Sequence, residues 1–274
     1  MSNVLPNFLI VGAQKCGTTS LHDILDAHPE TKMSAVKEIN YFINPERYAQ
    51  GLSHYSTYFT NNQAKAIGES SPGYICHPGV AERIRRDLGQ IKIIIILRNP
   101  INRAFSQYWD NRRHLSEWLT EKEIIDQYLE STYMPGRKGY FSRGVYAPQV
   151  EKYFTLFGRD SVKVVFLEEM VKNQSETLKS IYDFLGLSKD KGLEKLPSAS
   201  NSSMVWSNPI YKLFRNRPSL NRFLPKHARR ILFFGNQSKF RYELPNEELI
   251  TRIKAFYHPH NEHLASLLGR PLPW

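Results

Sequence analysis

The sequence contains little cysteine: Cys16 and Cys76 are the only two in 274 residues. Two cysteines are too few for a disulfide framework, so we expect free thiols in a reducing compartment. Long apolar runs are also missing. The longest run, residues 91–97, contains Lys92 and is far shorter than the roughly 20 residues of a membrane-spanning helix. The N-terminus has no basic stretch followed by a small-residue cleavage site, so we predict a cytoplasmic protein without a signal peptide or transmembrane segment.

The chain also lacks low-complexity runs, internal repeats and linkers rich in proline or glycine. Its hydrophobic share, 41%, is enough for a full core, and we predict one domain over residues 1–274. Positive charge is what the sequence has in excess, with a net charge of +11. This excess indicates an anionic ligand or partner, and by itself it leaves a nucleotide, a nucleic acid, a membrane and a sulfated glycan open.

Strands and helices alternate along the chain. Residues 91–97 are β-branched and almost unbroken, which is typical of a central parallel strand buried on both faces. Residues 8–11 and 162–167 are further apolar runs of strand length. Apolar residues at helical spacing follow each strand, and Gly158 and Gly186 lie where two of these helices should end. The alternation predicts an α/β fold with a central parallel β-sheet flanked by α-helices. Between about 197 and 243 the pattern gives way to long loops and short helices, followed by a late helix.

The loop VGAQKCGTTS (11–20) follows the first strand and opens a helix. Gly12 and Gly17 have the spacing of a nucleotide-binding P-loop, but Thr18 occupies the position of its lysine. That geometry uses the lysine to hold β- and γ-phosphates with magnesium, so its displacement disfavours a P-loop kinase. The alternative is a glycine-containing turn with a surface lysine.

Even so, the loop has the groups that an anion needs. Its backbone N–H groups and the positive end of the following helix attract negative charge. Lys15 adds a mobile cation, and Thr18, Thr19 and Ser20 add hydroxyl donors in the first helical turn. Helix capping alone would also explain the hydroxyl residues.

Several segments, in the right order and together covering nearly the whole chain, resemble the sulfotransferases that use 3′-phosphoadenosine 5′-phosphosulfate (PAPS). The similarity is greatest to the branch that includes the heparan sulfate sulfotransferases, and it implies their P-loop-like α/β fold. The matching segments are QKCGTTSL (14–21), KEINYF (37–42), IIIILRNPINRAFSQY (93–108), RGVYAPQVEKYFTLFGRDSVKVVFLEEM (143–170) and SKFRYELP (238–245).

The resemblance implies a nucleotide site and a catalytic pair. Lys15 would contact the bridging oxygen between phosphate and sulfuryl group, and Glu38 would be the general base that takes the acceptor's proton. The alternatives are a solvated lysine for Lys15, and for Glu38 a surface carboxylate paired with Lys37 or a neighbouring basic residue. If the segment is extended, Lys37 should point to the opposite face from Glu38. The residues implied to bind the nucleotide are Lys15, Cys16, Gly17, Thr18, Thr19, Ser20, Arg98, Ser106, Lys239, Phe240 and Arg241.

Arg98 has the clearest physical reason among the nucleotide ligands. It follows the best strand, at the edge of the sheet where α/β proteins bind ligands, and a guanidinium suits a dianionic 3′-phosphate. Ser106 lies off the apolar stripe of its helix, so without the family a solvent-facing serine is favoured. Lys239 and Arg241 would complete the 3′-phosphate site, with a charged surface loop as the alternative.

The resulting prediction is a sulfotransferase that moves the sulfuryl group of PAPS to a hydroxyl of a carbohydrate or small metabolite, with PAP as product and no metal. The alternatives are a P-loop kinase and a non-catalytic polyanion-binding protein; we expect no nucleic acid as partner. Ser70, in ESSPGY (69–74), replaces the lysine of the heparan sulfate enzymes, so the acceptor stays open. The basic stretch 212–230 has three alternatives: an acidic acceptor, a peripheral membrane contact and a solvated helix face. His258, His260 and His263 are not interpreted as metal ligands because Pro259 should break the helix between them.

Overall fold

A five-stranded parallel sheet lies at the centre of the larger of two units in the computed structural model. The strands have the order β2-β3-β1-β4-β5, and every neighbouring pair is parallel. This topology confirms the predicted α/β fold class. The strands are β1 Phe8–Gly12, β2 Thr31–Met33, β3 Ala66–Ser70, β4 Lys92–Leu97 and β5 Val162–Phe166.

The structure describes residues 4–60, 63–114, 116–136, 138–191, 204–206, 237–239 and 244–274. One unit contains Met1–Asn99, Val145–Ala199 and Pro259–Trp274, and the other contains Pro100–Gly144 and Ser200–His258. The single-domain count stays a prediction. Most of the segment from 197 to 243, where long loops and short helices are predicted, lies outside the described residues.

The helices follow the strands as the apolar spacing predicted. Gly158 and Gly186 end α7 and α9 with φ values of 76° and 78°, which glycine adopts without the steric cost of a Cβ. In chain order the helices are α1 Thr18–Asp26, α2 Pro45–Ala49, α3 Gly51–Ser56, α4 Val80–Leu88, α5 Pro100–Arg113, α6 Glu121–Tyr128, α7 Ala147–Phe157, α8 Leu167–Lys172, α9 Gln174–Leu185 and α10 Glu247–Leu268.

The smaller unit contains α5, α6 and an antiparallel pair of short strands, β6 Met204–Trp206 and β7 Gln237–Lys239. The fully buried Arg103 of α5 donates to the side chain of Gln107 and to the carbonyl of Tyr140. Glu117 accepts hydrogen bonds from the Tyr140 hydroxyl at 2.7 Å and from the Lys138 ammonium at 2.9 Å. These bonds supply partners that buried charged groups require, although Nε of Arg103 has none among the described residues.

The prediction that Pro259 breaks the last helix is wrong, because α10 runs through it from Glu247 to Leu268. Buried anchors hold both parts of the helix. Before the proline, the Tyr257 hydroxyl donates to the carbonyl of Phe141 at 2.7 Å. After it, Leu264 belongs to the buried core of the larger unit. Tertiary packing of this kind outweighs a proline penalty of about 3 kcal/mol in a helix interior.

Candidate active site

The loop between β1 and α1 is built around Gly17. This residue caps α1 with a φ of 91°, a left-handed conformation that side chains disfavour. A Cβ at this position would lie 2.8 Å from Cδ1 of Leu167, so any other residue would require the Leu167 side chain to move. The first turn of α1 contains no acidic side chain, and no carboxylate there competes with an anion for the positive helix end. The loop therefore has the backbone form and the charge that anion binding needs.

We expect Gly17→Ala to lower the free energy of unfolding by about 2–5 kcal/mol. About 1–2 kcal/mol of this comes from the left-handed backbone, and about 1–3 kcal/mol from the contact with Leu167. Gly79 is the matched control, because its φ is 74° and a Cβ there would meet nothing within 4 Å. Chemical denaturation of both variants measures the difference. Equal losses would show that the contact with Leu167 imposes no constraint.

Lys15 and Arg98 lie together in the structure. Lys15 has a φ of 69°, which is uncommon for any residue with a side chain. Its carbonyl accepts a hydrogen bond from Nη1 of Arg98 at 3.2 Å. Arg98 directly follows β4, at the carboxyl edge of the sheet. The structure thus brings the predicted catalytic lysine next to the predicted phosphate-binding arginine.

Two residues that the sequence did not single out hold the backbone beside Arg98. The Tyr146 hydroxyl donates to the Arg98 carbonyl at 2.9 Å, and it lies 3.7 Å from the sulfur of Cys16. Oε1 of Glu168 accepts a hydrogen bond from the backbone N–H of Asn99 at 2.9 Å. Tyr146 and Glu168 therefore hold the carbonyl and the N–H of the peptide group that joins Arg98 to Asn99. Their positions in the segment 143–170 are the sequence signal that could have identified them. Tyr146 directly precedes a helix, and Glu168 follows a strand.

The remaining loop residues differ in exposure. Thr19 and Ser20 are exposed, whereas the Thr18 side chain is buried. Cys16 is fully buried, and its backbone N–H donates to the carbonyl of Ala13 at 3.2 Å. Cys16 thus contributes to the internal structure of the loop, and its role as a nucleotide ligand stays a prediction.

Glu38 lies on a tightly held loop after β2, which we call the Glu38 loop (residues 38–42). Glu38 and Asn40 have positive φ values of 58° and 53°. The backbone N–H of Glu38 donates to the carbonyl of Ser70 at 3.0 Å, and that of Asn40 donates to Oγ of Ser71 at 3.0 Å. The Glu38 side chain is 45% exposed. Its backbone is therefore fixed while its carboxylate stays accessible.

The expectation that Lys37 points away from Glu38 is wrong. Nζ of Lys37 lies 3.0 Å from Oε1 of Glu38, because the left-handed φ of Glu38 removes the alternation of an extended segment. An exposed ion pair of this kind contributes about 0–1 kcal/mol. That is too little to account for the backbone conformation, so the ion pair alone does not explain the loop.

The structure describes some of the residues predicted to bind the 3′-phosphate and not others. Ser106 is 6% exposed on α5, so the view that it faces solvent is wrong. Ten of the fourteen residues of this helix are buried, and burial extends well beyond its apolar stripe. Lys239 ends β7 in the smaller unit, and Phe240 and Arg241 lie outside the described residues. The grouping of these residues with Arg98 stays a prediction.

Comparison with known proteins identifies the family of the chain. A family model described as a sulfotransferase domain matches residues 5–256. The chain is similar to mouse heparan sulfate glucosamine 3-O-sulfotransferase 5, with 26% identity over 281 aligned residues, which cover 98% of this chain and 74% of that protein. The crystal structure of a sulfotransferase from Alicyclobacillus acidocaldarius is 27% identical, with a TM-score of 0.69 and 98% of each chain covered. A complex of mouse sulfotransferase SULT7A1 with PAP shares the fold, at 16% identity and a TM-score of 0.52, covering 93% of this chain and 83% of that one.

The central parallel sheet flanked by helices is the P-loop-like α/β fold of sulfotransferases, and the family match supports sulfuryl transfer as the reaction. The chain belongs to the sulfotransferase family, and the prediction of a PAPS-dependent sulfotransferase is confirmed. Within the described residues, no helix is long and apolar enough to span a membrane. The same residues contain no group of three or more His, Cys, Asp or Glu side chains with the arrangement of a metal site.

Proposed function

We propose that the enzyme transfers the sulfuryl group of PAPS to a hydroxyl of a carbohydrate or small-metabolite acceptor, with Glu38 as general base. The backbone conformation of the two predicted catalytic residues carries this proposal. Lys15 and Glu38 are two of the three non-glycine residues with positive φ in the part of the chain that the structure describes. Such conformations cost about 1–3 kcal/mol each, persist only where the surroundings enforce them, and cluster at active sites.

The proposed reaction is an in-line transfer. The acceptor oxygen forms a bond to sulfur as its proton passes to the Glu38 carboxylate, and the bond between sulfur and the bridging oxygen breaks. PAP leaves with the electron pair of that bond. Lys15 meets the negative charge that grows on the bridging oxygen, so its contribution is electrostatic. The nucleotide phosphate is already a good leaving group, and the weak nucleophile is the partner that needs a base.

The described residues fit a nucleotide anion at this edge of the sheet. Gly17 gives the loop its left-handed backbone at the start of α1, and α1 directs its positive end toward the same loop. The Arg98 guanidinium, already bonded to the Lys15 carbonyl, adds a permanent cation. The exposed Glu38 carboxylate is accessible to an acceptor from solvent.

Ligand preference tests the nucleotide part of the proposal. We expect calorimetry to show that PAP binds. Its affinity should be unchanged by EDTA, because Thr18 replaces the lysine that precedes the magnesium-binding hydroxyl in a P-loop. Adenosine 5′-phosphate is the matched control, and it should bind at least about tenfold more weakly because it lacks the charge-assisted contacts to the 3′-phosphate.

Two other outcomes would contradict the proposal. Tighter binding of ATP with magnesium would favour the kinase alternative. Binding of long polyanions that weakens steeply with salt, with no preference for the 3′-phosphorylated nucleotide, would favour the polyanion-binding alternative.

A further inference from the structure

A fully buried carboxylate is connected to the Glu38 loop through hydroxyl groups. Glu69, in β3, is 0% exposed, and its hydrogen bonds come from the hydroxyls of Tyr55, Ser71 and Tyr74. We infer that Glu69 is a positioning residue that fixes the Glu38 loop in its catalytic conformation by ordering these three hydroxyls. This inference rests on the proposed role of Glu38.

Two of the hydroxyls act in the same way, as relays between the carboxylate and the loop backbone. Oγ of Ser71 donates to Oε2 of Glu69 at 3.3 Å and accepts from the backbone N–H of Asn40 at 3.0 Å. The Tyr74 hydroxyl bonds to the Glu69 carboxylate and accepts from the backbone N–H of Phe42 at 3.5 Å. An ionised carboxylate only accepts hydrogen bonds. A hydroxyl that donates to Glu69 keeps its oxygen lone pairs for the loop backbone. The Ser71 and Tyr74 side chains are also hydrogen bonded to each other, so the two relays are coupled.

The third hydroxyl acts through its aromatic ring. The Tyr55 hydroxyl donates to Oε1 of Glu69 at 3.0 Å. Its ring stacks on that of Tyr41, with centroids 4.4 Å apart and an interplanar angle of 21°. Glu69 thus reaches Asn40, Tyr41 and Phe42, three consecutive residues of the loop, through three different partners.

The position of Glu69 requires such a network. An unpaired carboxylate away from water is strongly destabilised, so a fully buried one persists only with several donors. Burial raises the pKa of the Glu69 carboxyl, and the hydrogen bonds from Tyr74, Tyr55 and Ser71 oppose this effect, so that the resulting pKa is about 7. The titratable groups that face it are Tyr55 of α3 and Tyr74, and burial together with Glu69 raises both of their pKa values well above the usual one. Both tyrosines therefore remain protonated donors.

The strained backbone of the Glu38 loop is what this network stabilises. Glu38 and Asn40 both have left-handed φ values, and this conformation relaxes unless the surroundings hold it. The Ser70 carbonyl fixes the N–H of Glu38 itself. The hydroxyls ordered by Glu69 fix the residues that follow. Loss of either set should let the carboxylate of Glu38 move away from its position.

The test is Glu69→Gln, studied by amide hydrogen exchange, turnover and PAP affinity at pH 8, where the native carboxylate is ionised. Glutamine replaces one of the two acceptor oxygens of Glu69 with an NH₂ donor. The hydroxyl that donated to that oxygen must then turn its proton away, toward the loop backbone that it had accepted from. We expect the amides of Asn40 and Phe42 to lose about tenfold or more in protection, as for the loss of one buried hydrogen bond. The amide of Ser34, which bonds to the Gly68 carbonyl, should keep its protection. Turnover should fall about tenfold or more while PAP affinity stays the same.

Further variants separate positioning from general destabilisation. Ser71→Ala removes one relay, and it should expose the amide of Asn40 more than that of Phe42, which keeps its bond to the Tyr74 hydroxyl. Tyr55→Phe should lower turnover, whereas Tyr182→Phe is the control: its hydroxyl is buried and has no hydrogen-bond partner among the described residues. Unchanged protection of Asn40 and Phe42 in the Glu69 variant, or equal loss at Ser34, would overturn the inference. Failure of the native enzyme to bind PAP would instead contradict the proposed function, because the amide measurements do not depend on it.

Discussion

We expect Glu38→Gln to lower turnover on an alcohol acceptor by about 10²–10⁴-fold, the usual contribution of a positioned general base. Glutamine keeps the size of the side chain and most of its hydrogen bonding, but it cannot take the proton. PAP affinity should stay nearly unchanged, because the described contacts of Glu38 are to Lys37, Asn40 and the Ser70 carbonyl. Initial rates and calorimetry on the same preparation measure both quantities.

Lys37→Ala is the control for this experiment. It removes the partner of an exposed ion pair worth about 0–1 kcal/mol, so turnover should change about fivefold or less. The acceptor must be an aliphatic alcohol, because a phenol or slow donor hydrolysis does not require a base. A fully active Glu38→Gln enzyme on its own alcohol acceptor would show that another group takes the proton. Glu69 is then a poor candidate, because its carboxylate is fully buried and bonded to three hydroxyls.

The sequence predicts the parts of the fold in which local pattern and tertiary environment agree. β4 is an almost continuous run of isoleucine, which is typical of a strand buried on both faces. α7 and α9 end at glycines in the conformations that their positions required. β3 was not predicted, because its sequence, AIGES, places a glutamate and a serine inside the core. A buried strand that contains polar residues is hard to recognise from sequence when the hydrogen-bond partners of those residues are distant in the chain, as Tyr55 is from Glu69.

The site was predicted as a set of residue types, and its geometry was not. Resemblance selected Lys15 and Glu38, but a left-handed backbone at a lysine or a glutamate has no local sequence pattern. Asn40 is the exception, since asparagine tolerates this conformation well. The solvent exposure predicted for Ser106 is wrong because an apolar stripe shows which face of a helix is apolar. It cannot show that a second face is also buried.

Substitutions of Lys15 and Arg98 should affect turnover and nucleotide binding to different extents. We expect Lys15→Ala to lower turnover by about 10²–10³-fold, the range for removal of one group that stabilises developing charge, and to weaken PAP binding less. Arg98→Ala should do the reverse, weakening PAP binding about 10–100-fold, as for loss of a hydrogen bond to a charged group. Rapid-quench single turnovers and calorimetry measure the two effects separately.

The structure adds a coupling between these two variants. Nη1 of Arg98 holds the carbonyl of Lys15, so Arg98→Ala should also lower turnover, and the double variant should lose less than the product of the two single losses. Arg159→Ala is the control: this exposed arginine of the same unit donates to the Leu267 carbonyl, and its loss should affect neither quantity. Equal losses of turnover and affinity in both single variants would contradict separate roles for Lys15 and Arg98. Strictly multiplicative losses would show that the hydrogen bond between Arg98 and the Lys15 backbone does not position the lysine for the transition state.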